Sequence, residues 1–105
     1  MQEQEAVLLR VYVSEGDTFE HKLVYEYLVE QANRAGLAGA TVLRGILGYG
    51  RDHHMHSTKV LRLSDDLPLV VEIVGAPEKI AGFLPTVEAC VKDGLITKEK
   101  VKIVR

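Results

Sequence analysis

Gly48-Tyr49-Gly50-Arg51 closes a β-patterned run (Thr41 to Leu47) and opens a polar stretch holding three of the four histidines, His53, His54 and His56. Glycines at a strand exit let main-chain N–H groups come close to a ligand and tolerate positive φ, and an adjacent arginine supplies a forked cation suited to phosphate or carboxylate. The chemistry that suits this junction is the binding of a small anion-bearing ligand. The histidines suit a different one. In an extended segment His54 and His56 share a face, and an assembly of several chains would gather the copies, so His53, His54 and His56 are candidate ligands for a divalent metal. Apart from Asp52, no cysteine or carboxylate cluster completes a coordination shell, and the plain alternative is solvated loop histidines. Catalysis has little to work with. Ser57 and Thr58 follow His56, but sequence neighbours on a strand point to opposite faces, and no buried acid can be identified to orient a base, so no enzyme signature is read.

Composition narrows the partners. With 105 residues, 47% hydrophobic content and a formal charge of −2, the chain fits one domain (residues 1–105) around one core and lacks the positive bias of a nucleic-acid or anionic-membrane binder. Any anion site must therefore be local. Cys90 is the single cysteine, which excludes an intrachain disulfide, and it reads as a small packed hydrophobe on a helix rather than a reactive thiol. Met1 to Glu5 are polar and acidic, unlike a signal peptide, and no apolar run approaches the length of a membrane span. The expected setting is a reducing cytoplasm, without membrane insertion.

The elements that must position the junction follow from periodicity. Residues 6 to 13 alternate as a strand. Ser14 to Thr18 form a turn, and from about Phe19 a helical stripe (Val24, Leu28, Gln31/Ala32, Ala35) runs to Gly36, which suits a left-handed cap. A second strand is expected over Ala40 to Tyr49, an exposed and mobile segment over Arg51 to Ser57, further alternation over Lys59 to Leu63, and a central strand over Leu69 to Val74. Pro77 fits the first turn of a second helix with the stripe Ile80, Phe83/Leu84, Val87 and Val91, kinked at Pro85, and Glu99 to Arg105 closes the pattern as a last strand.

Two βαβ units with right-handed crossovers predict an α+β, ferredoxin-like (split βαβ) antiparallel sheet with both helices on one face. Parity then assigns Leu8, Arg10, Tyr12, Val42, Arg44, Ile46, Val70, Glu72, Val74, Lys100 and Lys102 to the bare face. That surface is too apolar for water and too charged for a core, so subunit partners are expected to cover it, with Glu72 near Arg10 or Arg44.

The strand exit Gly48-Tyr49-Gly50-Arg51, the return through Leu67-Pro68 and the run Val71-Glu72-Ile73-Val74 together resemble the PII signal-transduction proteins, in which a Gly-Phe-Gly-Arg exit opens the long T-loop. The chain is more similar still to the PII-like group called domain of unknown function family one hundred and ninety. That likeness runs through Ala40-Thr41-Val42-Leu43-Arg44-Gly45, His56, Lys59, Leu63-Ser64-Asp65-Asp66-Leu67-Pro68 and Lys92-Asp93-Gly94-Leu95-Ile96. The resemblance implies a homotrimer with ligand sites in the clefts between subunits, adenine nucleotides among the ligands, and a loop, here about 51–58, that docks on a transporter or enzyme. It carries Gly48, Gly50 and Arg51 over as ligand contacts. Asp93-Gly94 matches part of the PII phosphate-facing loop, but Leu95 stands where a lysine is expected. Lys102 falls where PII carries one arginine of a terminal basic pair, with Val104 at the other position. No tyrosine lies between Arg51 and Leu67, so the nucleotidylation of some PII proteins has no acceptor here.

The leading expectation is a non-enzymatic regulator whose ligand, an adenine nucleotide or a similar anion, meets Gly48, Gly50 and Arg51 with help from Arg44, Lys59 and Lys102. The rival is a trimeric divalent-metal protein using His53, His54 and His56, similar in architecture to the divalent-cation tolerance proteins.

Overall fold

A computed structural model of the chain describes residues 1–50, 55–57 and 67–105. The elements run β1 (Glu3–Ser14), β2 (Thr18–Phe19), β3 (Lys22–Leu23), α1 (Val24–Arg34), β4 (Gly39–Arg44), β5 (Leu47–Gly48), β6 (His56–Ser57), β7 (Pro68–Gly75), α2 (Pro77–Cys90) and β8 (Leu95–Val104). The main sheet has the order β4-β7-β1-β8 with every neighbouring pair antiparallel. In each βαβ crossover another strand separates the two parallel ones, which makes the α+β, ferredoxin-like arrangement that the alternation of elements predicts.

One face of this sheet is apolar because its strands alternate in phase. Leu9, Val11 and Val13 of β1 stand beside Ile73, Val71 and Leu69 of β7, and all six are buried. Val24, Leu28 and Ala32 of α1 and Ile80, Phe83, Val87 and Cys90 of α2, at helical spacing, cover them as one core. Each large side chain fully buried in this way contributes about 1.5–3 kcal/mol. Gly36, at φ 74°, ends α1 as its sequence suggests: the Leu37 N–H reaches back to the Ala32 carbonyl at 3.1 Å and the Gly36 N–H to that of Asn33 at 3.1 Å. α2 runs on through Pro85, and both Pro85 and Ala81, whose carbonyl the ring leaves without an intrahelical donor, lie at the surface where water can serve it.

Four expectations are corrected. The first helix begins at Val24, not near Phe19, because residues 18–23 fold into the β2–β3 hairpin, whose turn residues Glu20 (φ 49°) and His21 (φ 70°) take the left-handed conformation. The second strand stops at Arg44. Beyond Gly45-Ile46 the chain re-enters a separate ribbon, Leu47 opposite Ser57 and Gly48 opposite His56, so part of the expected mobile segment is paired. The last strand begins four residues earlier than expected, at Leu95.

The fourth correction concerns the bare face. Val42 lies directly opposite Val71, and Arg44 opposite Leu69, so both belong to the helix side, while Thr41 and Leu43 join Glu72 and Val70 on the bare side. Likewise Lys102 is opposite Glu5 and Lys100 opposite Val7, on the helix side, and both remain exposed. Ile46 sits in the break beyond β4, outside the sheet. Leu8, Arg10, Tyr12, Val70, Glu72 and Val74 are where parity puts them. Alternation fixes which residues share a face within one strand, but only cross-strand register decides which phase faces the helices. The alternation over Lys59 to Leu63 lies outside the described residues.

Two substitutions test these local assignments. His21→Gly removes a side chain from the left-handed region and is expected to stabilise the chain by about 1 kcal/mol. Gly82→Ala, in α2 with nothing within 4 Å of the added carbon, is expected to add about 0.5–1 kcal/mol. Urea denaturation at fixed protein concentration measures both, and a loss of stability would contradict the turn and helix assignments respectively.

Candidate functional site

The site is built where the Leu67-Pro68 step returns the chain to the sheet. Glu15 N–H donates to the Leu67 carbonyl at 2.9 Å and Gly45 N–H to the Pro68 carbonyl at 2.7 Å, so the ends of β1 and β4 are tied to the start of β7. A carbon on Gly45 would come within 3.1 Å of the Pro68 ring, and one on Gly48 within 3.4 Å. These glycines thus let the strand exit close over the proline, and of the described glycines only Gly36 takes positive φ. The expected left-handed freedom at Gly48 and Gly50 is not used.

Under this exit lies a cavity of about 350 Å³ lined by Gly45, Leu47, Gly48, Tyr49 and Gly50, by Tyr12, Val13, Ser14 and Asp17, by Pro68, Leu69 and Val70, and by Asp93 and Gly94. Its size falls in the range of small-molecule sites, roughly 300–1,000 Å³. Gly94 closes one wall. A carbon there would stand 2.5 Å from the Tyr12 carbonyl and 2.5 Å from Cγ1 of Val91, so the turn after α2 packs flat against β1 only with glycine. Asp17 holds its own turn, accepting from the Ser14 N–H at 3.0 Å.

The nominated residues divide. Gly48 and Gly50 line the cavity. Arg44 ends β4, one residue before the lining Gly45, and is ion-paired to Glu15. Lys102 lies seven residues along β8 from Leu95, which pairs with Tyr12 of the cavity wall, a run of about 23 Å at strand rise. There its Nζ sits 3.8 Å from both Glu3 and Glu5. Within one chain Lys102 and the cavity are not brought together. Arg51, Lys59, His53 and His54 lie outside the described residues, and His56 is placed only by its strand pairing to Gly48. Among the described residues no group of three or more histidine, cysteine, aspartate or glutamate side chains could hold a metal. Gly45, Asp17 and Tyr12 were not nominated from sequence. Gly45 alone carried a signal, as a third glycine beside the Gly48–Gly50 pair.

A second feature is electrostatic. On the bare face, Arg10 donates from Nε to Glu72 at 3.0 Å and from its Nη1 to Glu99 at 2.5 Å, which joins β7, β1 and β8 across a polar stripe. The bond to Glu99 and then that to Glu72 hold its guanidinium above the ordinary arginine range. Glu72 was expected near Arg10 or Arg44, and it is Arg10 that it meets. Burial pushes the Cys90 thiol up, which keeps it protonated and unreactive at neutral pH.

The fold is the ferredoxin-like one shared with PII-like proteins of known structure. The chain belongs to the family DUF190 (Uncharacterized ACR, COG1993), which matches residues 6–103. It is 44% identical over 97 residues to a UPF0166 protein of Aquifex aeolicus, covering 92% of this chain and 91% of that protein. It is 39% identical over 92 residues to a UPF0166 protein of Methanocaldococcus jannaschii, covering 87% and 84%. Among solved structures, CPII, a nitrogen regulatory PII-like protein from Thiomonas intermedia K12 bound to ADP, AMP and bicarbonate, superposes with a TM-score of 0.69 at 19% identity, covering 99% of this chain and 92% of that one. This last likeness is one of fold. No helix among the described residues is long and apolar enough to cross a membrane.

Gly94→Ala tests the wall. With no room for the added carbon, the turn must move off β1, and the chain is expected to lose about 1–3 kcal/mol in denaturant titration. An unchanged midpoint would show that the turn is not packed as described.

Proposed function

We propose that the chain is a PII-like regulator that binds a small anionic metabolite, an adenine nucleotide, in the cavity under the strand exit and passes its occupancy to a protein partner through the adjoining loop. The observation that carries this is the cavity itself, framed by Gly45, Gly48 and Gly50 on one side and Asp93-Gly94 on the other. The fold is shared with a PII-like protein solved with ADP and AMP. Binding is passed on through the loop that the strand exit opens, about residues 51–58, and that loop is what a transporter or enzyme recognises. The role is regulatory rather than catalytic, and the protein works in the cytoplasm as one domain.

The same reading makes the protein a homotrimer joined through the bare sheet face. One row across that face, Leu43, Val70, Tyr12 and Leu95, is apolar from edge to edge. Ile46 at 76% and Leu47 at 61% exposure extend it toward the strand exit. An apolar surface of that extent is stabilised by a covering partner. Copies arranged around an axis would also bring the basic end of β8, with Lys102, nearer to a neighbour's cavity than its own chain allows. Arg51, Lys59 and Lys102 are the contacts proposed for the ligand's anionic end.

Amide exchange across residues 51–58, followed while AMP or ADP is added, is expected to slow on binding. Exchange unchanged at saturating nucleotide would contradict the switch. Sedimentation at micromolar concentration is expected to give three times the chain mass, with Leu43→Glu reducing it to a folded single chain. A wild-type monomer would contradict the assembly.

A further inference from the structure

The helix side of the molecule carries a groove that the strand-exit cavity does not share. Between the end of α1 and the first half of α2 lies a space of about 340 Å³, with Ala35, Gly82 and the buried Phe83 as its apolar part, Arg34 on one helix and Lys79 on the other. It is open because the residues there are small: a carbon added to Gly82 would meet nothing within 4 Å. Lys79 also lines a second space of about 260 Å³, which reaches Ala76 and Arg105. Among the described residues Arg34, Lys79 and Arg105 enter no ion pair, in contrast to Arg10 and Arg44, and Lys79 donates instead to the Gly36 carbonyl at 3.3 Å. Glu5, the acid of the second space, sits 3.8 Å from Lys102. The start of α2 adds partial positive charge, since Ala76 at its N-cap offers no side-chain acceptor and Pro77 has no N–H.

We infer that this groove is a second docking surface, for a short acidic segment of a partner protein in which carboxylates flank an apolar side chain. Charge complementarity names the carboxylates, and the floor at Phe83 and Gly82 names the apolar residue between them. Length excludes a lone anion as the natural occupant. Lys79 and Thr86, both lining the groove, are about 10 Å apart along the axis of α2, which suits a stretch of chain. The net charge of −2 opposes a long polyanion such as nucleic acid more than a segment with a few carboxylates. An assembly joined through the bare sheet face leaves the helix side outward, so the groove stays accessible there. The inference goes beyond the ligand switch proposed above and does not rest on it.

Selection of short random peptides displayed on phage against the whole chain, with the Gly82→Leu chain as competitor, tests it. Leucine at this exposed position fills the groove without entering the core, and a urea midpoint at or above that of the unsubstituted chain reports that the variant is folded. Peptides that favour the unsubstituted chain are expected to carry aspartate or glutamate on both sides of an aliphatic residue. A synthetic copy of one is expected to bind the Arg34→Gln, Lys79→Gln chain about three- to tenfold more weakly, as two exposed charge pairs allow. Failure to enrich any peptide, enrichment without acidic residues, or equal binding to the Gly82→Leu chain overturns the inference. Tighter binding of a single-stranded oligonucleotide than of the peptide also overturns it. None of these results bears on nucleotide binding at the strand exit.

Discussion

Two main-chain hydrogen bonds at the Leu67-Pro68 step govern the functional end of the molecule. By holding Glu15 and Gly45 to the carbonyls of Leu67 and Pro68, they fix where β1 and β4 end relative to the start of β7. Bonds of this kind contribute only about 0.5–1.5 kcal/mol each in net terms, but a buried carbonyl left without its donor costs more. Their importance is geometric. With the proline seated under Gly45 and Gly48, the strand exit is forced to arch over it, and the space between that arch and the turn at Asp93-Gly94 is the cavity. The glycines serve packing first, and their openness to a ligand is a consequence of it.

The sheet behind the cavity carries two unlike surfaces. Toward the helices the phase of β1 and β7 builds a continuous apolar core, while the other face alternates apolar rows with the stripe Thr41, Glu72, Arg10 and Thr97. Arg10 spends both of its described ion pairs within its own chain, on Glu72 and Glu99. A partner covering this face therefore meets a stripe already satisfied in its cation, and the apolar row at the cavity end supplies the attractive surface. Exposed ion pairs of this sort contribute little to the stability of the chain itself. They add polarity that keeps one sheet face from being a second core.

How much of this was legible before the structure depended on the type of signal. The helical stripes at Leu28 and Ile80, the strand around Val71 and the cap at Gly36 were readable because periodicity and glycine conformational freedom are local properties. The β2–β3 hairpin was not, since Glu20-His21 carries none of the Asn or Gly signature of its turn and the helical spacing of Val24 and Leu28 invites extension backwards. The placement of Val42, Arg44 and Lys102 failed for another reason: register is a property of two strands, and no single strand's alternation contains it. At the site, Gly48, Gly50 and Asp93-Gly94 were legible through the family resemblance. Asp17, Tyr12 and the Arg44–Glu15 pair were not, because residues distant in the chain meet there only through the fold.

The central claim is that a nucleotide occupies the space between the strand exit and the Asp93-Gly94 turn. A crystal structure of the protein grown with AMP tests this most directly. The account predicts density for the nucleotide in this cavity, between Gly48 and Gly50 on one side and Asp93-Gly94 on the other. A bound nucleotide lying elsewhere on the molecule, with this cavity filled by solvent alone, would contradict it.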